Sequence, residues 1–150
     1  MSDSIPDGFA PWKPASSYMC HLDGLGRIHW REPDLAFGVR IGSAHRNQVG
    51  IAHGGFLATL ADCALGQVIV RQNGVSVVTV QLGVEYLNAV KEGDWLETRV
   101  HIDKPGKRLI HATCLMDTVG QDGARRLALK ANGVFAVIGQ APPSSSEFDG

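Results

Sequence analysis

The sequence predicts an α+β fold, and three observations carry that expectation. A proline-free apolar stretch is long enough for one extended helix, the hydrophobic period changes to two straight after it, and turn residues recur at hairpin intervals through the rest of the chain. The 150 residues suffice for one domain with a substantial core, expected over 1–150.

The elements follow in order. Residues 1–15 and 140–150 are rich in Pro, Ser and Asp and read as frayed ends. Between them, residues 24–30 and Leu35 to Ile41 (LAFGVRI) have the apolar, β-branched character of short strands. From Gly54 to about Arg71, Ala and Leu dominate, and Asn73-Gly74 supplies a stop. Beyond it, Val78, Val80, Leu82, Val84 and Tyr86 alternate with Thr79, Gln81, Gly83 and Glu85, the signature of a strand with two distinct faces. Turns at Glu92-Gly93-Asp94, at Lys104-Pro105-Gly106-Lys107 and at residues 119–123 then separate strands over Trp95 to Asp103, Arg108 to Asp117 and Leu127 to Ile138. Four strands joined by hairpins are therefore expected after the helix, in an antiparallel sheet.

Charge and cysteine content narrow the functions. A formal net charge of -1 gives no field that would gather nucleic acid or an anionic membrane, so neither is an expected partner. Cys20, Cys63 and Cys114 form no CxxC and no zinc-type spacing, so free thiols and no metal site are expected. The N-terminus has acidic residues and prolines where a secretory signal needs a basic start and an apolar run, and Asp62 with three glycines argues against a membrane span at 51–70. The expected location is the cytoplasm.

The helix itself raises the functional question. Its apolar side chains cover almost the whole circumference, so it must be buried on every side, and one sheet covers only one of them. A second copy of the chain is the natural cover. Between Arg46 and Arg71 the only formally charged side chain is Asp62, in a groove of small residues. It is either a structural acid satisfied by a hydroxyl or by amides of a neighbouring strand, or a base or nucleophile lining a cleft. At the start of the helix, His53-Gly54-Gly55 places two residues without side chains where backbone N–H groups are free and the helix dipole is positive, the build of an oxyanion site.

Asn47, Gly50, His53, Gly54 and Gly55, followed on the same helix by Leu60-Ala61-Asp62, form the pattern NxxGxxHGG…LAD. From about Gly26 to Ile138 the chain resembles the hotdog-fold thioesterases, in particular the acyl-CoA thioesterases of the phenylacetate-degradation type. The resemblance implies an antiparallel sheet wrapped around one long central helix, a homodimer that pairs into a dimer of dimers, and hydrolysis of acyl-CoA thioesters with no metal or cofactor. It implies that the Gly54 amide polarises the thioester carbonyl, that His53 and Asn47 hold the carbonyl oxygen or order the loop, and that Asp62 activates water or attacks directly. Thr79 stands where the family often has Ser or Thr to orient the water, although the strand alternation puts it on the face opposite Val78, Val80 and Leu82. Gly55 at the helix tip, with Lys104, Lys107 and Arg108 at the basic hairpin, are the candidate substrate contacts, the last three toward coenzyme A phosphates. Cys63 reads as a small buried hydrophobe rather than a nucleophile.

Gly54 and Asp62 stand eight residues apart, about 12 Å along a helix axis, whereas one reacting carbon must lie within about 3 Å of both donors and nucleophile. If both are catalytic, Gly54 of one chain must meet Asp62 of another. Two further readings stay open: an acyl-CoA-binding protein without catalysis, and a hotdog enoyl-CoA hydratase, although the Asn47 to His53 loop lacks the acid such hydratases carry.

Overall fold

The computed structural model describes residues 4–142. It is a hotdog fold, in which seven strands form one sheet that curls around a single long helix. In chain order the elements are β1 (Ala10–Pro11), α1 (Ser17–Leu25), β2 (Ile28–Arg31), β3 (Ala36–Arg40), α2 (Gly54–Asn73), β4 (Val75–Tyr86), β5 (Trp95–Pro105), β6 (Leu109–Val119) and β7 (Arg125–Gln140). All pairings are antiparallel, in the order β1-β2-β3-β5-β6-β7-β4.

The long helix ends as its sequence dictates. Gly74 takes a left-handed φ of 65° and returns its N–H to the Val70 carbonyl at 3.0 Å, a conformation that costs a β-carbon-bearing residue more than glycine. Leu57, Leu60, Ala61, Ala64, Leu65 and Ile69 are buried against the inner sheet face, where Ile110, Cys114 and Met116 of β6 meet Leu129, Ala131 and Phe135 of β7. Small residues set how closely helix and sheet approach. At Gly133 a β-carbon would stand 2.6 Å from the Phe135 ring and 3.0 Å from Leu65, well inside van der Waals contact.

Four expectations need correcting. The strands after the helix are not all hairpin-linked, because β4 pairs with β7 at the sheet edge and residues 87–94 cross back to β5, which lies beside β3. The sixteen residues of β7 make this possible, since they pair with β6 on one side and with nearly all of β4 on the other. Residues 10–12 are not frayed: β1 joins the sheet and Trp12, 3% exposed, packs edge-on to Phe37 at 4.7 Å. Gln140 likewise ends β7, while the tail from 143 onward lies outside the described residues. Residues 17–25, partly read as the start of a strand, form α1 instead, started by the Ser16 hydroxyl accepting from the Met19 N–H.

The fourth correction concerns β4, whose register slips between Thr79 and Gln81 and leaves Val80 as a bulge. An extra residue flips the alternation. Val75 and Val77 pack on the core before the bulge and Leu82 and Val84 after it, whereas Val78 and Val80 are exposed. The row Val78, Val80, Leu82 is therefore not one face, and Thr79 lies on the helix side.

Gly133→Ala should lower the urea midpoint by an amount equivalent to about 1–3 kcal/mol, the range for overpacking a well-filled core, and an unchanged midpoint would contradict the close helix-to-sheet approach.

Candidate active site

The helix tip is held by a loop that its own side chains organise. Asn47 Oδ1 accepts from the N–H groups of Val49 and Ile51 at 3.0 and 3.2 Å, closing the turn around Gly50, whose φ is 89°. The His53 amide donates to the His45 carbonyl at 2.7 Å, and Ala52 donates to Val90 of the crossing segment at 2.8 Å. His53 is the N-cap: its Nδ1 accepts from the Gly55 N–H at 2.9 Å. A ring nitrogen that accepts is unprotonated, so in the neutral ring Nε2 carries the hydrogen.

Consequently, Gly55 has its amide occupied by the cap, and Gly54, the first helical residue, stands outside the helical ladder with its N–H at the positive end of the dipole. Tyr86 clamps this residue from β4. Its hydroxyl donates to the Gly54 carbonyl at 2.6 Å, and a β-carbon on Gly54 would stand 3.2 Å from the ring. The tip opens into a cleft of about 500 Å³ walled in part by Asn47, His53, Gly54, Gly55 and Tyr86.

Two turns further along α2, Asp62 is half-buried and its Oδ1 accepts from the Thr79 hydroxyl at 2.6 Å. The short distance is that of a charge-assisted bond. The bulge at Val80 is what brings this hydroxyl to the helix side, so the hydroxyl partner expected of a structural acid is present, and the same carboxylate lines open space. Two clefts, of about 480 and 640 Å³, share Asp62, Cys63, Thr79 and Ser16. The smaller runs under Tyr18 and Met19 of α1, and the larger runs past Gly66 toward Val70 and Phe135.

The remaining candidates divide. Cys63 lines both clefts beside Asp62, but burial, and then the neighbouring carboxylate, push its thiol up to about 12, which leaves almost no thiolate near neutral pH. The basic hairpin is set apart. Thr79 pairs with Phe135, Phe135 with Ile110 and Ile110 with Pro105, three strand spacings or about 14 Å across the sheet. Lys104, Lys107 and Arg108 line none of the clefts around Asp62 or Gly54. Gly54 and Asp62 open into separate clefts, so one chain does not assemble them around a common point.

Sequence reasoning missed Tyr86 as the clamp on Gly54, and it missed α1 as a wall. Tyr86 carried a signal, an aromatic residue with a polar tip closing an alternating strand. The position of α1 carried none, because it depends on tertiary packing. Among the described residues no cluster of His, Cys, Asp or Glu could hold a metal ion.

Known proteins resemble this chain along most of its length. Residues 49–124 match the family model of the thioesterase superfamily. A Pseudomonas aeruginosa protein provisionally named an esterase is 35% identical over 137 residues, covering 88% of this chain and 96% of that protein. Mouse acyl-coenzyme A thioesterase 13 is 30% identical over 76 residues, which cover 50% of this chain and 54% of that one. Among solved structures, a hypothetical thioesterase protein from Streptococcus pneumoniae with coenzyme A superposes with a TM-score of 0.67 at 25% identity, over 89% of this chain and 98% of that one.

The loop that carries the helix tip also holds a buried histidine. His45 is 2% exposed, packs on Phe56 at 4.5 Å, accepts from the Gly42 N–H and leaves Nε2 buried without a partner. Burial holds its ring below the usual histidine value. The unfolded chain therefore takes up the proton first as pH falls, so the stabilisation is complete above about 6.5 and declines as pH drops through the lower folded-state value. Urea midpoints should fall between pH 7.5 and 5.5, and His45→Asn should flatten that slope; an equally steep slope in the variant would rule His45 out as its source.

Proposed function

The chain belongs to the thioesterase superfamily, and on that premise we propose that it hydrolyses acyl-CoA thioesters to the free acid and coenzyme A at a centre shared by two subunits. The observation that carries the reading is the Thr79 to Asp62 hydrogen bond at 2.6 Å, which aims a carboxylate into open clefts on the half of α2 away from the Gly54 tip. The named relatives support the class of reaction, and the coenzyme A in the pneumococcal structure supports the class of ligand.

The edge strand supports the shared centre. Among the described residues β4 pairs only with β7, which leaves its outer edge without a strand partner there. Along β4, Thr79 marks the level of Asp62 and Tyr86 the level of Gly54. Antiparallel pairing of two β4 edges about a two-fold axis at Gly83, with Val80 bulged out of the count, sets Thr79 of one subunit across from the partner subunit's Tyr86 on the same face. The partner's Gly54 then faces Asp62, and the small residues left open on α2 gain the cover that an apolar helix requires.

In that arrangement the Gly54 amide of one subunit, with the dipole of α2 behind it, holds the carbonyl oxygen as negative charge develops there. His53 Nε2 adds a second donor at the same tip. The carboxylate of the other subunit, oriented by Thr79, either takes a proton from the attacking water or attacks the carbonyl carbon itself, in which case a water then hydrolyses the resulting anhydride, releasing the acid and restoring Asp62. The C–S bond breaks and coenzyme A leaves as the thiol after taking up a proton. Oxygen-18 incorporation in a single turnover distinguishes the two routes. Binding without catalysis predicts retention of acyl-CoA with no free thiol released.

Asp62→Asn should lower kcat by about 10²- to 10⁴-fold, the range for a lost general base. Gly54→Pro removes the amide at a position whose backbone accepts proline, because His53 has ψ of 130° and Gly54 opens the helix; it should cost about 10²- to 10³-fold, with Gly54→Ala, which keeps the amide and makes the same 3.2 Å approach to Tyr86, as the control for the added β-carbon. Mixed dimers of the two inactive variants rebuild one intact centre and should recover a measurable share of activity by thiol-release assay. No recovery on subunit exchange would sink the shared centre, full turnover by Asp62→Asn would sink the catalytic role of its carboxylate, and no thiol release from any acyl-CoA by the wild-type protein would sink the hydrolase itself.

A further inference from the structure

Gln67 follows Asp62 on α2 by five residues, about 7.5 Å along the axis. Only 5% of it is exposed, and its Nε2 is fully buried without a hydrogen-bond partner among the described residues. It forms part of the wall of the larger cleft, which begins at Asp62 and Thr79, runs past Val70, Val77 and Phe135, and also carries Ser76, whose hydroxyl donates to the Gln140 carbonyl at 3.5 Å. Buried carboxamides normally spend their donors, because leaving one unpaired carries a desolvation cost that methionine at the same position would avoid. The cleft is the side from which an acceptor can arrive. The terminal torsion of glutamine is broad and roughly two-fold, so the amide can turn its N–H₂ end toward an acceptor in the cleft it lines without moving the stem.

We infer that the larger cleft is the acyl pocket, and that Gln67 selects acyl groups carrying a hydroxyl or carbonyl oxygen about 6–8 Å beyond the thioester carbonyl over hydrocarbon groups of the same length. This rests on the thioesterase reading and adds a substrate class to it. A hydrocarbon chain fills the apolar walls but leaves the amide as unpaired as it is in the empty cleft. An oxygen at that depth satisfies it, so the discrimination comes from the buried donor, as expected of a site built to hydrogen-bond its substrate.

The test is a matched pair, ω-hydroxyhexanoyl-CoA against hexanoyl-CoA. The wild-type protein should favour the hydroxylated member about tenfold in kcat/KM, the scale of one net hydrogen bond, and Gln67→Met should bring the ratio to about one, chiefly by loss on the hydroxylated member. The corresponding thioether analogues, which cannot be hydrolysed, should show the same preference as affinity in calorimetry. The pocket is thus tested separately from the hydrolase reading, even if no thioester is turned over. Equal wild-type values for the pair, or a preference that survives in Gln67→Met, overturns the inference. So does a variant that weakens both members alike and loses the dimer, since the amide's acceptor would then belong to the second subunit.

Discussion

A carboxylate on a helix as apolar as α2 needs a donor, and the Thr79 hydroxyl meets that need at 2.6 Å from Asp62. The contact depends on the extra residue at Val80. With unbroken alternation along β4, a strand that turns Leu82 and Val84 toward the core would turn Val80 inward and Thr79 outward; the bulge lets Thr79, Leu82 and Val84 share the helix side. One local irregularity thus orients the acid and preserves the packing of the strand that carries its partner.

Two consequences follow from the straightness of a helix. Its tip presents backbone N–H groups, and its middle presents a side chain, with about 12 Å of axis between them. Each end is braced separately: Tyr86 and the Asn47 loop hold the tip, and Thr79 holds the carboxylate. Both braces come from β4 or from the loops beside it, and β4 is an edge of the sheet among the described residues. The strand that braces both ends of the candidate site is also the strand on which the proposed pairing of two subunits rests.

The opposite face of the sheet is occupied differently. Trp95 is packed by Phe9 and His29, and its Nε1 donates to Glu97, which also receives Arg125 at 2.9 Å. Arg99 forms a two-pronged pair with Asp117. These charged groups are satisfied where they stand and lie outside the clefts at Asp62 and Gly54.

The long helix, its stop at Gly74, the period-two strands and the turns between β5, β6 and β7 were legible in the sequence, because capping, periodicity and turn chemistry are local. The clustering of Asn47, His53 and Gly54 at one end of α2, and the distance of Asp62 from it, were legible for the same reason: both lie on one continuous stretch of chain. Tertiary structure decided what depends on partners remote in sequence. It moved β4 beyond β7, because a strand's neighbour is set by the sheet and not by its adjacent turn. It placed α1 and Trp12 in the fold despite their Pro- and Ser-rich surroundings, and it set the β5 side of the basic hairpin three strands, about 14 Å, from Thr79. Above all it put Thr79 against Asp62, since a bulge is a property of two strands in register and leaves no mark in either strand read alone.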